Sequence, residues 1–461
     1  MRDLLQTTAF GQLLRLVSGG RILGWEEHSE PSNLNQYLCT KVNISSLSSS
    51  SDDKRVTSDV ENGCDEYYLI DWMDSDPKKP MNWSNAKKAF VTAQLCILTT
   101  TIYLSAAIYT AGIQGVQQQF QVSEVAALLG LTLFVAGYGL GPMVWAPLSE
   151  MPFFGRNPVY IGTLIAFVGM QPAVVYAKNF GTLLAFRFLT GLFGSPVLAT
   201  GGASIVDMYT PSKRAYAISI WGVAAILGPV MGPLVGGFAV ENKGWTWTIW
   251  EITWLSGACL VMLIFFLPET STSHLIFART GRLRKVLLHN TDASAANTKL
   301  KCEPEIEAEH TTPREILLML FVRPFTLSFF EPIVLSLNLY ISLLYALIYL
   351  WFESFPIVFL GTYRFNEGQL GLAFIGILVG SLVAIAPFWW HLHRYVESRF
   401  NANGEIKPEH RLPPACLGGF FIPVSLFWFG WTARASVHWI VPIVGTLFFT
   451  PGAFLLFNSV L

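Results

Sequence analysis

The sequence predicts an all-α membrane protein, and three observations carry that prediction. Of 461 residues, 52% are hydrophobic and only 13% are charged, about half the charged share of a soluble domain. The charge is concentrated in the first 88 residues and in two internal stretches. What remains falls into nearly charge-free runs of about 20 residues, and each can bridge roughly 30 Å of hydrocarbon at 1.5 Å per residue. This pattern excludes a soluble enzyme, a nucleic-acid binder and a disulfide-stapled secreted domain. The net charge of −1 points to no partner.

Ten apolar segments predict ten spanning helices, at about 89–112, 125–147, 158–177, 181–208, 215–239, 248–267, 330–353, 368–390, 413–432 and 436–458. Basic residues set their direction. With the N-terminus in the cytosol, the inner segments carry Lys78, Lys79, Lys87, Lys88, Arg156, Lys213, Arg214, eight Lys/Arg in 268–325, and Arg394, Arg399, Lys407 and Arg411. The outer loops carry only Lys178, Lys243, Arg364 and Arg434. Positive charge stays inside, as insertion requires. The chain then divides into a cytosolic tail (1–88), a six-helix bundle (89–267), a cytosolic central loop (268–329) and a four-helix bundle (330–461).

The tail has two readings. Leu4, Leu5, Phe10, Leu13, Leu14 and Val17 can form one face of an amphipathic helix, or the segment is a loosely ordered tail. Leu13 to Val17 is too short and too polar for a signal-peptide core. Residues 44–60 are rich in Ser and Asp and predict disorder. The sequons at Asn43 and Asn82 fall on the cytosolic side and stay unmodified. The six cysteines lie far apart, and His391 and His393 have only Glu397 nearby, so no metal site and no cofactor are expected.

Six helices, a long cytosolic loop and further helices are the layout of a two-halved secondary transporter. Four helices are two too few for the second half. The chain ends at Val460-Leu461 directly after an apolar run, so a fragment, a faulty gene model and a truncated paralogue all stay open.

Arg187 is the sharpest single residue, because an arginine inside a span costs a few kcal/mol to insert (about 2.5 or more) and usually faces a bundle interior or a wet cavity. The alternative is that it snorkels to the outer headgroups, about six residues from Gly181. In the fifth segment Gly228, Gly232 and Gly236 recur every four residues, with Gly237 beside them. They form a flat stripe that lets another helix approach closely. Pro229 and Pro233 remove backbone donors from that helix and bend it. In the loop after the second span, Glu150 and Arg156, around Gly155, can pair as a weak latch worth at most about 1 kcal/mol, or stand apart in solvent.

Candidate proton carriers are the few carboxylates near the membrane: Glu124, Asp207, Glu251, Glu331 and Glu353. Of these, Asp207, Glu331 and Glu353 join Arg187 as candidates for coupling, although each also fits a headgroup-level charge. Tyr345, Tyr349 and Phe352 fall on one face of the seventh span and can line a pocket for flat apolar compounds, or pack against lipid and core. Trp245, Trp247, Trp250 and Trp254 read as an interfacial belt.

Several of these stretches resemble the major facilitator superfamily. The loop 146–158 is similar to its signature between the second and third helices, and the segment around Arg187 to its fourth-helix signature. Gly228-x3-Gly232-Pro233-x2-Gly236-Gly237 is similar to its fifth-helix antiporter motif. Asp76-Pro77-Lys78-Lys79-Pro80-Met81-Asn82-Trp83-Ser84, Pro147-Leu148-Ser149-Glu150, Gly201-Gly202-Ala203-Ser204 with Asp207-Met208-Tyr209, and Phe266-Leu267-Pro268-Glu269-Thr270 resemble the fungal twelve-span drug:proton antiporters. Phe10 to Val17 is similar to the branch tied to fluconazole, benomyl and cycloheximide resistance. Asn157 departs from the usual basic residue, which weakens a charge latch, and the family's last two helices are absent from the sequence.

The resemblance implies a major facilitator fold whose second half is incomplete. It implies proton-coupled export of hydrophobic, often planar drugs or toxins by a monomer in the fungal plasma membrane. The partners expected are the bilayer, small hydrophobic substrates and protons, with no nucleic acid. No Gly-x4-Gly-Lys-[Ser/Thr] occurs in the sequence, which argues against ATP drive. Two other readings stand beside this one: a nutrient or polyamine uptake carrier or facilitator, and a truncated, non-transporting paralogue.

Overall fold

The computed structural model describes residues 5–19, 23, 38–42, 67–73, 75–290, 299–310, 312, 314–315, 318–319, 322–401 and 405–460. The Ser/Asp-rich stretch 44–60 and the sequon at Asn43 lie outside them. Among the described residues, ten helices are long and apolar enough to cross a membrane: Asn85–Ala111, Glu124–Glu150, Asn157–Val175, Phe180–Met208, Pro211–Lys243, Thr246–Phe266, Pro332–Thr362, Glu367–Arg399, Pro413–Thr432 and Ile440–Ser459. They are called spans 1 to 10 here. Each corresponds to one apolar segment of the sequence.

Local chemistry sets the span ends. Ser84 caps span 1 by accepting from Lys87 N–H, and Ser123 caps span 2 by accepting from Ala126 N–H. Span 4 is interrupted at Ser195, with Pro196 opening its second piece, Pro196–Met208. Span 5 runs as one helix from Pro211 to Lys243, with Pro229 and Pro233 inside it. Span 7 continues through a wide-turned stretch, Pro356–Thr362, to end beyond its expected limit. Span 8 likewise runs past residue 390, which puts His391 and His393 on helical turns.

Spans 1 to 6 enclose one core and spans 7 to 10 a second. Span 5 is the main bridge between them. At its outer end a methyl group on Gly237 would lie 2.5 Å from the Glu367 carbonyl oxygen, and one on Gly371 would lie 2.7 Å from Leu234 Cα. Toward its Pro211 end the Trp389 indole donates to Ser219 Oγ at 2.8 Å. Lys213 Nζ meets Glu397 Oε1 at 2.6 Å in the first turn of span 5.

The tail and central loop contain more structure than their polarity suggested. Strands β1 (Leu38–Val42), β2 (Tyr67–Ile70) and β3 (Lys299–Lys301) form a small sheet. Within it β1 pairs with β2 antiparallel and β2 with β3 parallel. Helix Thr272–Asn290 packs on it, burying Ile70, Ile276, Leu283, Leu300 and Cys302 together. Asp76 Oδ2 and Arg279 Nη1 form a buried ion pair at 2.6 Å that joins tail to loop. Burial raises the Cys302 thiol above its ordinary pKa.

Candidate functional site

The site is built where the two cores face each other. A cavity of about 840 Å³ lies there, its wall drawn from spans 1, 2, 4, 5, 7, 8 and 10. Tyr345, Tyr349 and Phe352 all line it, so the face foreseen on span 7 points inward. The first half supplies Tyr103, Tyr138 and Trp221, which the sequence reading did not single out. Tyr103 and Tyr345 bring their hydroxyls within 3.3 Å across the two halves, and the Tyr103 and Tyr138 rings pack edge to face at 5.4 Å. The Trp221 indole is held by Thr99 Oγ1 at 2.8 Å. Among the described residues no Asp, Glu, Lys or Arg lines this cavity. It is an aromatic chamber with hydroxyl groups, suited to flat, uncharged molecules.

Arg187 lies fully buried in the first bundle, which removes the snorkelling alternative. Its Nε donates to the Gly130 carbonyl at 3.1 Å and its Nη1 to the Ser105 carbonyl at 3.4 Å. The guanidinium sits between the Tyr109 and Phe134 rings, 4.5 Å from each centroid. Among the described residues no carboxylate lies within ion-pair reach of it. Carbonyl dipoles and ring faces therefore carry its charge.

The glycine stripe of span 5 meets span 1. A methyl group on Gly228 would lie 2.5 Å from Tyr103 Cβ, one on Gly232 2.6 Å from Ala107 Cβ, and one on Gly236 2.8 Å from Ile108 Cγ1. The stripe thus lets span 5 sit against the helix that carries Tyr103.

The latch is not the one expected. Glu150 is exposed, and Arg156 turns away from it to meet Asp207 on span 4, Nη1 to Oδ2 at 2.7 Å. Arg156 is buried, and Asp207 offers it a partner from a neighbouring helix, which the exposed Glu150 does not. A second anchor was missed. Glu269, buried at the end of span 6, accepts the backbone N–H groups of Arg156 at 3.1 Å, Asn157 at 3.0 Å, Thr270 at 2.9 Å and Ser271 at 2.8 Å. The Asn157 amide donates to the Leu267 carbonyl at 2.8 Å, so the residue that departs from a basic one still ties the loop down. Gly155 adopts φ +73°, and a Cβ there would lie 2.8 Å from Glu269 Oε2. Both facts call for glycine. The signal for Glu269 was its place in Phe266-Leu267-Pro268-Glu269-Thr270.

The four residues expected to couple protons are not brought together. Asp207 is at the inner end, paired as above. Glu331 is exposed and starts the helix of span 7. Glu353 lines a separate, outer cavity of about 350 Å³ with Glu124, Glu367, Gln114 and Gln117. Phe352 and Phe374 belong to the walls of both cavities, their rings stacked at 5.6 Å. They form the partition between the aromatic chamber and the acidic outer one.

The profile of the Major Facilitator Superfamily matches residues 95–461. The chain belongs to the major facilitator superfamily. It is 41% identical over 461 residues to the transporter mfs1 of Schizosaccharomyces pombe, covering 99% of this chain and 83% of that one. It is 34% identical to the cycloheximide resistance protein of Candida maltosa, covering 100% of this chain and 84% of that one. It is 36% identical to fluconazole resistance protein 1 of Saccharomyces cerevisiae, covering 94% and 78%. The xylose transporter XylE from E. coli, at 15% identity and a TM-score of 0.52 over 81% of this chain and 85% of that one, shows the same fold. This superfamily member is thus a multi-pass membrane transporter.

Proposed function

We propose that the protein exports uncharged, flat, hydrophobic drugs or toxins across the plasma membrane in exchange for protons, by alternating access to the aromatic chamber. The chamber carries the reading. It lies between the two halves, it is walled by tyrosines, tryptophans and phenylalanines, and it presents no formal charge. The relatives named for cycloheximide and fluconazole resistance support the same substrate class. A membrane potential supplies about 2.3 kcal/mol per elementary charge per 100 mV, enough to drive such an exchange.

In this reading the transporter acts as a monomer with its tail in the cytosol, the side on which basic residues accumulate. Glu353 is the proton carrier. It faces the outer cavity, one residue from the partition at Phe352. Loss of its charge on protonation would change the electrostatics of that cavity while drug occupies the neighbouring chamber. Arg187 fixes spans 1, 2 and 4 to one another. Arg156, Asp207 and Glu269 hold the inner ends of spans 2 to 4 and 6 in one of two arrangements. Expression in a drug-sensitive yeast tests the reading. Tolerance to cycloheximide or an azole is expected to rise, and Tyr349→Ala is expected to abolish the gain at unchanged protein abundance. No gain in tolerance from the intact chain contradicts it.

A further inference from the structure

We infer that the N-terminal helix Ala9–Val17 lies in the cytoplasmic leaflet of the bilayer, with Leu13, Leu16 and Val17 inserted among the lipids. The choice of the cytoplasmic leaflet rests on the orientation proposed above, with the tail in the cytosol, and not on the transport cycle. The insertion itself rests on where the helix is seated and on which of its faces is left open.

Phe10 fixes the depth. Its ring lies 4.7 Å from that of Phe265, in the last turn of span 6. Phe265 and its neighbour Phe266 are part of the exposed apolar surface of that span, and Phe90 near the start of span 1 packs edge-on against Phe266 at 6.1 Å. These rings mark the lipid-facing inner ends of two spans. The helix is therefore docked at the boundary of hydrocarbon and headgroups.

The helix starts at Thr8, whose side chain accepts from Gly11 N–H. At 100° per residue, Leu13, Leu16 and Val17 extend the arc that Phe10 begins, while Gly11 and Arg15 fall on the opposite side. That opposite side is used within the protein. Gly11 is buried, and Arg15 Nη2 donates to the Gln6 carbonyl at 2.6 Å. Among the described residues nothing covers the apolar arc: Leu13 is 61% exposed, Leu16 83% and Val17 80%. It is continuous with the lipid-facing surface of span 6. An apolar face of this kind at headgroup level is what an interfacial helix buries in a leaflet.

The test uses the full chain in nanodiscs of phosphatidylcholine and phosphatidylserine, after replacement of its native cysteines. A nitroxide is placed singly at positions 12, 13, 16 and 17. Collision rates are measured with oxygen, which partitions into lipid, and with a water-soluble nickel chelate. The labels at 13, 16 and 17 are expected to favour oxygen, and the label at 12, on the polar side, the chelate. Adding Leu13→Asp to the chain labelled at 17 is expected to shift that label at least threefold toward the chelate. Equal chelate access at all four positions overturns the inference, because the face then lies in water. Shielding of 13, 16 and 17 from both reagents overturns it too, because protein then covers the face.

Discussion

Arg187 is charged, buried and without an acidic partner in reach, so its environment must supply what water no longer does. Two carbonyls and two ring faces do so. Hydrogen bonds to a charged group are worth about 1.5–3 kcal/mol each. Lysine lacks the planar fork that reaches both carbonyls while lying between two rings. Arg187→Ala and Arg187→Lys are therefore both predicted to reduce drug efflux by roughly tenfold or more, measured as tolerance of a sensitive yeast at matched abundance. Retention of activity by the lysine variant would show that charge alone is sufficient. Glu353→Gln is predicted to uncouple efflux from the proton gradient while leaving drug binding to the chamber intact. A side-by-side measurement of binding and flux checks it. The residue scale is also where sequence reading fell short. Arg187 was legible because an arginine is out of place in an apolar run. The partner of Arg156 was not. Glu150 is six positions away in the sequence, and Asp207 becomes a neighbour only after spans 2, 3 and 4 have packed.

At the scale of elements, spacing was informative wherever a pattern repeats on one helix. Three glycines at intervals of four announced a close contact, and span 1 fills it. Tyr345, Tyr349 and Phe352 announced a face, and the face lines the chamber. Tyr103, Tyr138 and Trp221 carry no such signal, because which side of spans 1, 2 and 5 turns inward depends on tertiary packing. Gly232→Val is predicted to overpack the contact between spans 1 and 5, at a cost of about 1–3 kcal/mol, and to lower both the melting temperature and efflux. Gly257→Ala, whose added methyl meets nothing within 4 Å, is the matched control and is predicted to be silent. The inner latch gives a second contrast. Asp207→Asn is predicted to impair transport, whereas Glu150→Gln is not. Growth on drug separates the two.

On the scale of the whole molecule, charge distribution was enough to place ten spans, because the bilayer penalises charge more uniformly than any protein interior does. It was not enough to see the unit that tail and central loop build together. That unit depends on a handful of apolar residues from the tail and central loop meeting across more than 200 positions, around the Asp76–Arg279 pair. Breaking a buried pair costs up to about 3–5 kcal/mol, so Asp76→Asn is predicted to loosen the unit. Faster trypsin cleavage within 268–329 in membrane vesicles would register this, and cleavage at the unaltered rate would count against it.

The proposed exchange matches each drug molecule leaving the uncharged chamber with protons moving the other way. It is tested most directly with the purified full chain in proteoliposomes that hold a pH-sensitive dye, by adding cycloheximide across an imposed drug gradient. Proton movement opposite to drug movement is expected, present only with drug and lost in Glu353→Gln. Drug flux that proceeds with no accompanying proton movement would contradict it.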